Sequence, residues 1–278
     1  METVSYKKII SKVVVYTLLL LLLGVALIPF LWMLSASLKA NKDVFSFPIQ
    51  WIPHPIVWEN YIEIWKKIPL ITFILNTMKL TIIITVLQVV TSSLASYGFA
   101  KLEFKGRDLL FLCYVSTIAI PWQVYMIPQY LIIQKMNLVD SHWSLIILQA
   151  FSAFGVFLMR QFLISIPKEL SEAAKIDGLS EFGIFGKIMM PLAKPGLATL
   201  TIFTFVTIWN DFMGPLIYLN STDKKTIQLG LRLFITQFSA EYSLIMAASI
   251  VTLVPVLIVF LSLQKYFVEG IATSGLKG

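Results

Sequence analysis

The sequence predicts an all-α polytopic membrane protein with six transmembrane helices, and three observations carry this. Apolar residues make up 58% of the 278 residues, with a mean hydropathy of +0.82, against roughly 45–50% apolar usage in soluble domains. Apolar runs recur near 13–34, 76–97, 109–131, 143–159, 198–219 and 243–264, and a helix of about 20 residues crosses the hydrocarbon core. The runs are also continuously apolar, whereas strands of a membrane barrel would alternate over about ten residues. A soluble chain of this length has no interior large enough to hide so much apolar surface.

The first run, Val13 to Leu34, carries no charge and follows Lys7, Lys8 and Lys12. It exceeds the apolar core of a signal peptide, about 7–15 residues, and reads as an uncleaved span although Ser35-Ala36-Ser37 resembles a cleavage site. The second is interrupted by Gln88, Thr91, Ser92, Ser93 and Ser96. Such a strip suits a face packed on other helices or lining a pathway. Pro29, Pro121, Pro128, Pro215 and Pro255 fall in or beside the runs, where each is expected to kink its helix. Trp51 to Trp65 is aromatic-rich and suits an outer membrane interface.

Charge sets the expected orientation. The net charge is +7, but the basic residues lie mainly between the apolar runs and form no clustered face of the kind nucleic acid requires. With the N-terminus inside, the inner segments 1–12, 98–108, 160–197 and 265–278 hold 13 of the 22 Lys and Arg. The outer segments, of equal total length, hold 8. Basic loops stay on the cytoplasmic side, so both termini are expected there. Lys79 is the remaining one, placed to snorkel from the outer end of the second span. Cys113, the single cysteine, reads as a small packing residue, and His54 and His142 lie apart with no metal-ligand spacing.

The largest inner loop, 165–197, reads as a helical hairpin. Pro167 suits a first helical position, and Glu169 and Glu172 complement a helix N-terminus. Asp177-Gly178 offers a stop because glycine readily adopts the left-handed conformation. Ser180 is a reasonable N-cap for a second short helix with Phe182, Phe185, Ile188 and Met189 on one side, ended by Pro191 and Pro195. The phenylalanines are expected to anchor it. By pattern alone this is either an amphipathic loop at the membrane surface or a docking element.

Glu172-Ala173-Ala174, Gly178 and Ile188-Met189-Met190-Pro191-Leu192 together resemble the EAA loop of ABC importer permeases. Asn76-Thr77, Ala95 to Lys101, Ile120-Pro121 through Ile127-Pro128, and Trp209-Asn210-Asp211-Phe212 with Pro215 extend the resemblance over nearly the whole chain. It looks most similar to the MalG-like branch of carbohydrate permeases. The end, through Gly275, Lys277 and Gly278, resembles the family's glycine-rich tail, with Ser274 and Leu276 departing from it. The resemblance implies a permease domain over 71–264 and a coupling loop built on Glu172, Ala173, Ala174, Asp177, Gly178 and Pro191. It also implies a separate cytoplasmic ABC ATPase dimer that uses ATP and Mg, a related permease subunit as heterodimer partner, and an extracytoplasmic sugar-binding protein. The expected location is a bacterial or archaeal cell membrane.

This chain itself is expected to bind no ATP. The nearest approach to G-x-x-x-x-G-K-S/T is Gly186-Lys187, with Glu181 and Ile188 at the wrong positions. Asp211 places a charge inside a predicted span, which usually faces the interior or water. With Trp209, Asn210 and Gln88 it marks either a sugar pathway or a tie between helices. Three rivals stand beside sugar import. A permease for a polyol phosphate would want interior cations. An ion-coupled carrier usually shows an internal repeat. An intramembrane enzyme needs paired catalytic groups, and none is apparent.

Overall fold

The computed structural model describes residues 6–235 and 239–275, whose regular structure is helical apart from one isolated bridge between Ile235 and Ala240. The chain divides into two compact units, Met1–Ile68 with Leu231–Thr252, and Pro69–Gly230 with Leu253–Gly278.

The first unit opens with α1 (Tyr6–Ser37), 32 residues long, which reaches about 48 Å at helical rise. Every residue from Ile10 to Leu31 is exposed, and a helix that is apolar all round needs lipid about it. Its C-terminal carbonyls would otherwise be orphaned. Asn60, at the start of α2 (Asn60–Lys67), donates from Nδ2 to the carbonyls of Ser37 and Lys39, each at 2.8 Å. Lys67 pairs with Glu241 at 2.6 Å, and the Phe45 ring meets Tyr242 edge-on at 4.8 Å. Trp51, Trp58 and Trp65 stay substantially exposed.

The second unit is organised around α3 (Leu70–Lys101). Thr77, Thr81 and Thr85 are buried at four-residue spacing, as are Ser92 and Ser96, so they form one inward face of the helix. The polar strip therefore packs against protein. Beyond α3 come α4 (Arg107–Ser116), continued by a short 3-10 turn to Ala119, and α5 (Trp122–Lys135). Their axes meet at 97°, so the run expected over 109–131 forms two helices rather than one kinked span. Pro121 sits at the bend. It supplies no N–H, and it holds Ile120 extended at ψ 111°. By contrast, Pro29, Pro128 and Pro255 lie inside uninterrupted helices.

The fourth span runs from His142 to Ser165, beyond the expected end at 159. It consists of α6 (His142–Gln149) and α7 (Ala153–Ser165), capped by Ser141 and Ser152. A Cβ on Gly155 would overlap the Ser92 hydroxyl, so glycine lets α7 close on α3. After the loop hairpin of α8 (Glu169–Ile176) and α9 (Glu181–Ile184), a π-turn over Phe185–Met189 leads to α10 (Met190–Leu192).

The fifth predicted span is likewise broken. The helix α11 (Lys194–Trp209) stops, and α12 (Met213–Tyr218) starts after three residues. Next come α13 (Ile227–Arg232) and α14 (Tyr242–Gly275). The last helix thus continues well past the predicted end at 264, and Gly275 is its final residue. Lys277 and Gly278 lie outside the described residues. Among the described residues, four helices are long and apolar enough to cross a membrane, or six if each bent pair counts as one span.

The connection after α12 is stitched down. Asp140 accepts from the Ser221 hydroxyl at 2.5 Å and from the Asn220 and Ser221 N–H groups. Lys224 adds an ion pair at 3.0 Å. These donors, Ser221 foremost, hold the Asp140 carboxyl well below the usual carboxylate range. Asn76 donates to the carbonyls of Asp223 and Lys225. The loop is therefore clamped at both of its ends.

Candidate functional site

Two places in the second unit gather the predicted residues. The first is the hairpin. Glu169 and Glu172 lie in the first turn of α8, and Glu172 and Ala173 are exposed while Ala174 is buried. The helix closes through the N–H groups of Asp177, Gly178 and Leu179, which reach the carbonyls of Ala173, Lys175 and Ala174 at 3.0 Å. Gly178 has φ +80°, the left-handed turn expected of it. Ser180 then caps α9 by accepting from the Gly183 N–H at 3.3 Å.

One side of the hairpin is sealed to the bundle. Ala174, Ile184, Met189 and Ala193 form one buried cluster with Tyr97, Met159, Leu163 and Leu200. The Phe185 ring meets Tyr97 edge-on at 5.4 Å. The opposite side is open, and there Ile176 is 87% and Phe182 80% exposed. Only one of the two phenylalanines is therefore an anchor. Pro191 lies exposed within α10, one residue before the continuous stretch Glu181–Leu192 ends, as expected of it. Pro195 lies in the first turn of α11, where a missing N–H costs nothing. The chain turns between them, with the stretches Glu181–Leu192 and Lys194–Trp209 set at 79°.

The second place is a cavity of about 420 Å³ between α3, α5, α6, α11 and α12. Its polar wall is a relay. Gln88 donates to the Gln149 carbonyl at 2.7 Å, and Gln149 Nε2 donates to Asp211 at 2.9 Å. Asp211 also accepts from the Gly214 N–H at 3.1 Å, a carboxylate at the start of α12 where the helix dipole favours it. Gln149 Oε1 is buried without a hydrogen-bond partner. The other wall is aromatic: Trp122, Tyr125, Phe151 and Tyr218. Gln129 accepts from the Trp122 indole at 2.9 Å and the Tyr218 hydroxyl at 3.3 Å.

Trp209 is not on this wall. It is 1% exposed and stacks on Phe205 with the planes 10° apart, so its ring is closed to any passing sugar. Asn210 is exposed and bonds back to the Val206 carbonyl at 2.8 Å. Of the four predicted pathway residues, the fold brings Gln88 and Asp211 together on one cavity.

Comparison with known proteins bears on both places. The family model described as binding-protein-dependent transport system inner membrane component matches residues 4–273. The chain belongs to this family. Its relatives include the arabinooligosaccharides transport system permease protein AraQ of Halalkalibacterium halodurans, 35% identical over 91% of this chain and 92% of that one. The sn-glycerol-3-phosphate transport system permease protein UgpE of Yersinia pestis is 34% identical over 92% and 95%. A crystal structure of a bacterial ABC transporter that imports the acidic polysaccharide alginate aligns with a TM-score of 0.81 at 25% identity. That alignment covers 96% of this chain and all of the other.

As a permease of this family the chain is a multi-pass membrane protein and a transport subunit rather than an enzyme. No group of three His, Cys, Asp or Glu able to hold a metal occurs among the described residues. Sequence reading passed over Lys175 and Glu181, which pair at 2.7 Å across the hairpin turn. The Gly178 turn was the available signal, since it folds residue 175 back toward 181. It also passed over Gln149, whose importance depends on the break after α6.

Proposed function

We propose that this chain is one permease subunit of an ATP-driven importer carrying oligosaccharides across a bacterial cytoplasmic membrane. The observation that carries this is the hairpin. Its inner face is locked to α3, α7 and α11, and its outer face leaves Ile176 and Phe182 bare. Exposed apolar side chains on an otherwise anchored element mark a surface for another protein. The occupant we infer is a cytoplasmic ABC ATPase subunit, whose closure around ATP and Mg would push the hairpin and tilt the bundle between inward- and outward-facing states. Glu172 supplies a polar contact there, and Gly178 holds the turn. On this reading both termini lie in the cytoplasm.

The cargo reading rests on the cavity. Sugar hydroxyls both donate and accept, and Gln88, Gln149 and Asp211 together offer both functions. Aromatic faces opposite suit the apolar face of a pyranose. Among the described residues no Lys or Arg lines the cavity, which favours a neutral oligosaccharide over a phosphate ester. A related but distinct permease would complete the pathway, and the family's dependence on binding proteins supports an extracytoplasmic receptor as donor.

The test is uptake in proteoliposomes holding this chain, its co-purifying partners and the receptor. Import of a labelled neutral oligosaccharide that requires internal ATP is expected. Import without ATP, or import of sn-glycerol-3-phosphate in its place, would reject the reading.

A further inference from the structure

The hairpin is joined to the bundle by more than apolar packing. One oxygen of the Glu181 carboxylate accepts from the Tyr97 hydroxyl at 2.6 Å, and the other pairs with Lys175 at 2.7 Å. The three groups belong to three elements. Tyr97 is in the last two turns of α3 and is 6% exposed, Lys175 is in the last turn of α8, and Glu181 opens α9. Both hydrogen bonds involve an ionised carboxylate, which makes them stronger than neutral ones. The Lys175 ammonium is held above its ordinary range, with the Glu181 hydrogen bond as the leading cause.

We infer that Glu181 is a positioning residue for transport, passing displacement of α8 to α3 through Tyr97. This rests on the coupling role proposed for the hairpin and specifies its route. A rigid helix continues the route. Gln88 lies nine residues before Tyr97 on α3, about 14 Å away at helical rise. Gln88 is the first member of the relay through Gln149 to Asp211 on the cavity wall. The Thr204 hydroxyl of α11 also donates to the Gln88 side-chain oxygen Oε1, at 3.3 Å. Apolar packing lets two surfaces slide, whereas a carboxylate held at both oxygens by groups on different elements fixes their separation. The Tyr97–Glu181 bond thus makes the hairpin and the cavity wall respond together.

The experiment uses the complete reconstituted complex and reads ATP hydrolysed per sugar imported, alongside complex yield. Tyr97→Phe and Glu181→Ala are each expected to raise that ratio roughly fivefold at normal yield, as loss of one such hydrogen bond would. The double variant is expected to match the worse single, because both cut one link. Ratios within about twofold of the parent in both singles, or single effects that multiply in the double, overturn the inference. If Glu181→Ala fails to assemble, Lys175→Met probes the same carboxylate from its exposed side, and an unchanged ratio there overturns it too. Gly178→Val separates the two layers. If it uncouples while the Tyr97 and Glu181 variants do not, the route fails and the hairpin's role stands. If none uncouples, the hairpin's role fails as well.

Discussion

The helices α1 and α3 are each 32 residues long and both pass for membrane spans, yet they are different objects. The most apolar 18-residue stretch of the span within α1 has a mean hydropathy of 2.7 and none of it is buried. That within α3 has 2.0, with 39% buried. The first has one solvent all round. The second divides its circumference between lipid and protein, with hydroxyl-bearing residues on the protein side. Mean hydropathy finds a span, and the placing of threonine and serine tells which side of it meets protein.

The sharpest way to break that comparison is at the α3–α7 contact. Gly155→Leu forces a side chain against Ser92, and overpacking there is expected to destabilise by about 3 kcal/mol. Thermal unfolding of the detergent-solubilised chain would read this, and an unchanged midpoint would mean the two helices do not close as described. The next effect is at Gly178. Nothing lies within 4 Å of an added Cβ, so the left-handed backbone is the only objection to a side chain. Gly178→Val should raise ATP consumed per sugar about tenfold, whereas Gly178→Asn, tolerant of that conformation, should stay near the parent. Equal behaviour of the two would point to crowding by a partner.

Asp211→Ala should slow import about fivefold at equal membrane abundance, by cutting the bond from Gln149. Undiminished uptake would reject the relay. The smallest effect belongs to α1, where Leu20→Ala is expected to change stability by less than about 0.5 kcal/mol. A loss well above that in the assembled complex, absent in the isolated chain, would show that another subunit covers this helix.

How much of this was legible in the sequence follows from the range of the interactions. The first, second and sixth spans are written in local composition, and the Gly178 turn and the Ser180 cap are local as well. The breaks in the third and fifth spans were not legible. Pro128 and Pro255 look as disruptive as Pro121, yet only Pro121 lies at a sharp bend. Whether a proline breaks a membrane helix depends on which neighbours take up the freed carbonyl, and that is tertiary. The candidate site divides the same way. Gln88 and Asp211 stood out as polar residues in apolar runs. Gln149, which joins them, lay inside the apolar run 143–159, and its role depends on the helix break that follows it. Trp209 stayed open between pathway and helix tie because an aromatic beside polar residues reads alike whether it faces a cavity or Phe205.

The π-turn at Phe185–Met189 has a consequence for how this family can vary. Such a turn holds one residue more than an α-turn. An α-turn goes once round in 3.6 residues, so the π-turn takes up its extra residue within one revolution and leaves Phe182 on the side it would occupy under ordinary winding with one residue fewer. The length of this segment can therefore change by one residue while the hairpin tip keeps its bearing. Two otherwise similar transporters could differ in length here and still present the same surface to a partner.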